Sequence, residues 1–277
     1  MNLIRTLCLL ASVTVIASDA ASAGTKVYVG KQQFVRGRSM DAIDHSGYDA
    51  LLRKFVDDRG NVDYTGWKAS AKDVAALDEY LAHLSSIDFA AKSSRDAQLA
   101  HWINAYNAVT LKGILREYPT TSIRNHTAKV FGYNIWHDLL LHAGGKAYSL
   151  DTIEHKILRP AKEPRIHFAI VCASESCPRL LNRAYTADAL EGQLTANTRD
   201  FFANSGNFQY DARAGKVQLS SIMRWFAEDF GETKADQLRT IAPYLPTPEA
   251  QRAAQAGSAS VSYLDYSWDL NDQKTQR

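Results

Sequence analysis

The chain has 277 residues, 45% of them hydrophobic and 22% charged, with a formal net charge of +2, which is the composition of an ordinary globular protein. No run or stripe of lysine and arginine appears, so nothing calls for nucleic acid as a partner. No internal repeat or low-complexity tract interrupts the chain, and its length can bury a large core in one domain.

In chain order, Met1–Arg5 is a short basic start, Thr6–Ala17 an apolar run, and Ala21-Ser22-Ala23 a small-x-small cleavage pattern. Residues 1–23 are therefore expected to be a signal peptide, with the mature chain exported to the periplasm or medium from Gly24 onward. The run is shorter than the roughly 20 residues a span requires. Cys8 lies inside it rather than after it, which argues against a lipid anchor, and no integral membrane segment is expected after cleavage. Residues 24–44 look like a loosely ordered lead-in, 45–272 a single globular domain, and 273–277 a polar tail.

Leu51, Leu52, Phe55 and Val56 have helical spacing and predict a helix over 47–58; Val62–Trp67 is a short extended piece. Helices follow over 69–85 and 95–118, the second stopped by Pro119. Ala147–Leu150 is a predicted strand. Asp151 then stands as N-cap with Glu154 three residues on, opening a helix to Arg159 before Pro160. Ile166–Val171 predicts a buried strand, followed by helices over 178–185 and 187–204. Phe208–Leu219 has the pattern of a β-hairpin around Ala212-Arg213-Ala214-Gly215. Ser220 or Ser221 caps a helix to Phe230, another covers 234–242, and the alternation of Val261–Leu270 suggests a last strand. Helices outnumber strands, so the predicted class is α+β, helix-rich around a small β-sheet.

The most informative stretch is Arg165-Ile166-His167-Phe168-Ala169-Ile170-Val171-Cys172-Ala173-Ser174-Glu175-Ser176-Cys177-Pro178. A strand running through a tight turn into a helix near Pro178 would present a thiol to the open N–H groups of that helix and favour its thiolate. Three states stay open for Cys172 and Cys177: a disulfide across the turn, a free catalytic thiol at Cys172, or inert buried thiols. His167, Cys172 and Cys177 could supply three zinc ligands, but the paired spacing of a zinc site is missing, so no metal and no cofactor are expected. On a strand, His167 and Cys172 would face opposite sides, which makes His155 the better base. On the long helix Asn104 and Asn107 are three apart and share a face, either as structural amides or as orienter and oxyanion donor.

Trp102-Ile103-Asn104-Ala105-Tyr106-Asn107, Ser149-Leu150-Asp151-Thr152-Ile153-Glu154-His155-Lys156-Ile157-Leu158-Arg159 and the His167–Pro178 stretch resemble the signature blocks of the "domain of unknown function 547" family. Tyr263–Asn271 resembles the tail of its bacterial members. The resemblance covers roughly 97–230 and favours Cys172, His155, Glu154, Asn104, Asn107 and Ser174 as the site. Two function classes follow, beside a weaker third, a thiol–disulfide protein using Cys172 and Cys177, against which stand the C-x₄-C spacing and the lack of a thioredoxin-like pattern. One is a cysteine hydrolase or acyl transferase acting on an amide or thioester, with Cys172 as nucleophile and His155 as base. That chemistry would need a permuted papain-like or transglutaminase-like arrangement. The other is a non-catalytic binding or scaffold domain of the cell envelope. In either class the partner is an unidentified small molecule or peptide.

Overall fold

The computed structural model describes residues 25–30, 37–128 and 133–275. The predicted signal peptide and parts of the lead-in and tail lie outside them. The chain runs β1 (Val27–Val29), α1 (Ser46–Phe55), α2 (Tyr64–Ala69), α3 (Ala71–Leu84), α4 (Arg95–Glu117), α5 (Ile135–Asp138), β2 (Leu139–Ala143), β3 (Lys146–Ser149) and α6 (Leu150–Thr152). It continues with α7 (Leu190–Ala203), β4 (Phe208–Asp211), β5 (Lys216–Leu219), α8 (Ile222–Trp225), α9 (Ala227–Phe230), α10 (Lys234–Ile241), α11 (Pro248–Ala256) and β6 (Ser260–Tyr263). The class is α+β, as expected, but with two small sheets in place of one.

In the first sheet β1 runs parallel to β2 (Val27 beside Leu139) and β3 antiparallel to it (Leu140 beside Ser149). In the second, the β4–β5 hairpin pairs Phe208 with Leu219, and β6 joins β5 in parallel, Val217 beside Val261. Each sheet has its own core. The larger core surrounds α4, buried on nearly every side from Ala97 to Leu115, as a helix crossing a core must be. Ser94 caps it by accepting from the Ala97 N–H. Gly113 lets α5 and β2 approach: a Cβ there would stand 2.6 Å from Ile135 and 2.8 Å from Leu139. The second core gathers Phe168, Phe201 and Phe202 with the hairpin, α10 and α11. Residues 166–171 run along the seam, Ile166, Ala169, Ile170 and Val171 facing one core and Phe168 the other.

Several expected elements differ. Ile166–Val171 is no strand: Glu163 caps a 3₁₀ turn over Pro164–Phe168, with Pro164 in its first positions. No helix forms over 178–185, where backbone groups bond side chains instead. Asp63 accepts from the Gly66 N–H and starts α2 where an extended piece was predicted. Ser149, not Asp151, caps α6, accepting from the Thr152 N–H. The helix then loosens into a π-helical stretch over Ile153–Leu158. The helix expected to reach Phe230 breaks at Phe226 into α8 and α9. Of the last predicted strand only Val261–Tyr263 pairs in a ladder, within β6. The lead-in contains β1 and a 3₁₀ turn at Met40–Ala42.

Candidate active site

Three amides set the path of the chain around the cysteines. Asn107 donates to the Ala169 carbonyl and accepts from the Val171 N–H, both at 2.9 Å. Asn104 makes the same two-way contact with Tyr185, donating to its carbonyl at 2.7 Å and accepting from its N–H at 2.9 Å. Asn197 on α7 donates to the Phe168 carbonyl at 2.7 Å and the Arg179 carbonyl at 3.2 Å. Between these anchors the backbone reverses at Ala173, whose φ is +59°. The Cys177 N–H closes the turn onto the Ser174 carbonyl at 3.1 Å. The C-terminal segment lies alongside: Glu175 N–H donates to the Asp269 carbonyl at 2.8 Å and Asn271 N–H to the Ala173 carbonyl at 3.1 Å. That pairing sets Tyr266 over the two thiols.

Both cysteines are free, Cys172 half-buried and Cys177 buried. The Cys172 N–H donates to Cys177 Sγ at 3.1 Å, and the Tyr266 hydroxyl donates to the same sulfur at 3.2 Å. Ser174 Oγ lies 3.1 Å from Cys172 Sγ and 2.8 Å from the Tyr266 hydroxyl, which is itself 3.3 Å from Cys172 Sγ. A backbone N–H can only donate, and it aims at Cys177, so this sulfur is the better seat for a negative charge. Burial pushes the Cys177 thiol up, but hydrogen bonds from the Cys172 thiol, the Tyr266 and Ser174 hydroxyls and the Cys172 N–H outweigh it and bring it down to about 6. Cys172 is held well above the usual thiol range by the hydrogen bond it gives to Cys177, by burial and by the Cys177 charge. The pair thus holds one proton readily and one loosely. Its thiolate owes nothing to a helix N-terminus, since the expected helix at Pro178 is absent.

The sulfurs open into a cavity of about 300 Å³. Trp136, Trp225, Phe226 and Trp268 form apolar walls, and Glu154, His155 and His167 contribute polar groups. Trp225 is 43% exposed at the mouth, 4.8 Å from the Tyr266 ring and 5.7 Å from that of Trp268. Glu154 hydrogen-bonds the Tyr106 hydroxyl at 3.1 Å. Burial raises its pKa, and the Cys177 charge adds to this, against His155, Tyr106 and Arg159. The carboxyl is thereby biased toward its protonated form.

His155 Nδ1 lies 3.1 Å from Arg159 Nη1, and its Nε2 lies 3.7 Å from Asp151. His167 Nε2 lies 2.7 Å from Asp229, which also holds Arg159. Phe226 stacks on the His167 ring at 4.2 Å. Burial lowers the His167 pKa to about 4 despite Asp229, so the ring is neutral near pH 7. Among the described residues neither sulfur hydrogen-bonds a histidine.

Of the residues singled out in the sequence, Cys172, Glu154 and His155 share the cavity, and Ser174 touches Cys172. Asn104 and Asn107 do not line it: both ends of each amide are taken by backbone, so they position the chain. Alternation along a strand cannot separate His167 from Cys172, because no strand exists there, and His167 lines the same cavity. Tyr266, Trp225, Trp268 and Asp229 were missed as site residues. Tyr266 and Trp268 fall inside the Tyr263–Asn271 block, which was the available signal.

A family model described as "Protein of unknown function, DUF547" matches residues 90–202. This part of the chain is similar to that family. The DUF547 stretch holds α4, the π-helical turn and both cysteines, and it ends within α7, short of the predicted limit near 230. Asp229, Tyr266 and the tryptophans at 225 and 268 come from beyond it. No curated protein and no solved structure matches the chain. Among the described residues no helix is long and apolar enough to cross a membrane.

Proposed function

We propose that the cavity performs cysteine-dependent acyl chemistry, the hydrolysis or transfer of an acyl group from an amide or thioester, with Cys177 as the attacking sulfur. The observation that carries this is the convergence of the Cys172 N–H and the Tyr266 hydroxyl on Cys177 Sγ in a concave, aromatic-walled site. The thiolate attacks the carbonyl carbon, an S–C bond forms, and the C–N or C–S bond to the leaving group breaks. The leaving group takes its proton from Glu154, whose pKa burial raises. Water, activated by half-exposed His155, or an acceptor nucleophile then cleaves the acyl-enzyme and restores thiolate and acid. Cys172 and Ser174 complete the hydrogen-bond network around the nucleophile. His167, which lines the same cavity, is a histidine held by the Asp229 carboxylate.

Mixing the reduced protein with p-nitrophenyl acetate tests this. One equivalent of nitrophenolate should appear in a burst, with the acetyl group mapped to Cys177; no burst, or an adduct elsewhere, leaves the binding-module alternative. The basic start, apolar run and Ala21-Ser22-Ala23 support an exported chain beginning at Gly24. Intact mass of protein from the native host decides that, and a mass retaining residues 1–23 refutes it.

A further inference from the structure

Acyl transfer needs one sulfur, yet this site holds two, both free, in contact through a shared hydroxyl and through the Cys172 N–H. In that chemistry the second sulfur only gives a hydrogen bond to the first. It has a larger part in a reaction that begins on one thiolate and ends as a disulfide. We propose that Cys172 and Cys177 form a hydroperoxide-reducing dithiol, with Cys177 attacking the peroxide and Cys172 resolving the product, and that its substrate is an organic hydroperoxide. The inference concerns the same pocket as the acyl chemistry but stands independently of it.

The electron balance is complete within the pair and the peroxide. The Cys177 thiolate attacks the outer oxygen of ROOH, an S–O bond forms, and the O–O bond breaks. The departing alkoxide takes a proton from Glu154, which lines the same cavity and is biased toward its acid form. Cys177 is then a sulfenic acid. The Cys172 sulfur attacks it, the S–S bond forms, and the S–O bond breaks to release water. Two thiols and one hydroperoxide give one disulfide, one alcohol and one water. The thiols return only through an external thiol reductant.

Three features favour this reaction over the inert thiols of an ordinary core. The donors that hold the thiolate, Cys172 N–H and Tyr266 O–H, flank the sulfur where peroxide oxygens would arrive. The resolving sulfur is already beside it, within the reach of one hydroxyl, so no loop need unfold before the disulfide closes. The turn between them is closed by the Cys177 N–H to Ser174 carbonyl bond and reversed at Ala173. The substrate class follows from the walls. Ile170, Ile222, Trp225, Phe226 and Trp268 present apolar surface to the cavity, which suits an alkyl or aryl group rather than hydrogen peroxide alone.

The test is a single turnover on the full chain, reduced and freed of reductant, then mixed with cumene hydroperoxide or hydrogen peroxide. Wild type should lose both free thiols and two hydrogens in intact mass, with Cys172 and Cys177 joined in one peptide pair. Cumene hydroperoxide should react about tenfold faster than hydrogen peroxide, the gain from burying roughly two methylenes' worth of apolar surface. Cys172→Ser should stop at a sulfenic acid on Cys177, trapped by dimedone, and Cys177→Ser should stay unoxidised. Circular dichroism separates a misfolded variant from an unreactive one, and mapping of wild type needs no variant. Retention of both thiols, or a dimedone adduct on Cys172, overturns the dithiol. Faster reaction with hydrogen peroxide overturns the substrate class. In wild type, a nitrophenolate burst without oxidation rejects this inference alone, and oxidation without a burst rejects only the acyl chemistry.

Discussion

Two buried polar clusters share the segment from Phe168 to Tyr185, and they are built on opposite rules. At Asn104 and Asn107 partners are not shared: each amide gives one hydrogen bond to a backbone carbonyl and takes one from a backbone N–H. Around the cysteines, partners are shared. The Tyr266 hydroxyl meets Ser174 and both sulfurs, and those sulfurs border an open cavity. A closed set of bonds leaves nothing for a ligand to bind, and it stabilises the chain. A shared set can be redistributed when a proton moves, which is what chemistry requires. The DUF547 stretch contains both, with the closed cluster holding the open one in place.

The largest expected difference lies in reactivity. Cys177→Ser should abolish acylation and lower alkylation at pH 6.5 by about a thousandfold or more, as removal of a nucleophile does, with stability nearly unchanged. Cys172→Ser should keep the reactive sulfur. In wild type, iodoacetamide labelling of Cys177 should rise with a midpoint near pH 6, while Cys172 stays unlabelled until alkaline pH. Labelling of Cys172 first would reverse the roles of the two sulfurs.

The closed cluster should fail differently. Asn107→Ala leaves the Ala169 carbonyl and the Val171 N–H without partners in the core. Two such groups cost about 3–5 kcal/mol, to be read as a shift in the urea midpoint. Asn104→Ala should behave likewise through Tyr185. A large loss of reactivity without loss of stability would move Asn107 from the scaffold into the chemistry.

The long helix, α3, the hairpin and α10 were legible because each carries its own period or turn chemistry: Pro119 after α4, Gly215 in the hairpin. The cysteine segment was not, because the side chains that hold Ala169, Val171 and Tyr185 lie more than sixty residues away in sequence. Ile166–Val171 has the composition of a strand, yet Asn107 takes the backbone groups that a neighbouring strand would have paired. Cys172, Glu154 and His155 could be singled out by residue type and resemblance. Which cysteine is ionised could not, since that depends on how the turn aims the Cys172 N–H and on a hydroxyl of Tyr266, far along the chain.

A smaller effect concerns pH. Burial lowers His45 and His167 to about 4 and His101 to about 3. The unfolded chain protonates these rings near pH 6.5, so between about 6.5 and 4 it binds more protons than the folded chain. Stability is therefore unaffected by these groups above pH 6.5 and falls as pH drops below it, by up to about 1.4 kcal/mol per pH unit for each ring. His101 is the clearest case, fully buried on α4 with neither ring nitrogen bonded to protein. His101→Phe should flatten the slope of urea midpoint against pH by about one proton. An unchanged slope would mean that His101 is charged when folded.

The smallest effect separates the two clusters at the backbone. Ala173 turns the chain with φ +59°, a left-handed conformation that costs an L-residue about 1–2 kcal/mol and costs glycine almost nothing. That turn sends the Cys172 and Ser174 side chains to one side, 3.1 Å apart. Ala173→Gly relieves the strain but loses a buried methyl and loosens the unfolded chain, so the terms nearly cancel and stability should stay within about 0.5 kcal/mol. Ala105, fully buried in α4 between the two asparagines, has no such strain to relieve. Ala105→Gly should cost about 1–2 kcal/mol, from helix propensity and lost burial together. Urea denaturation of the two variants side by side measures the difference. Equal losses would mean that the cysteine turn is an ordinary one, and that its thiols owe their proximity to the clamps at Asn104 and Asn107 alone.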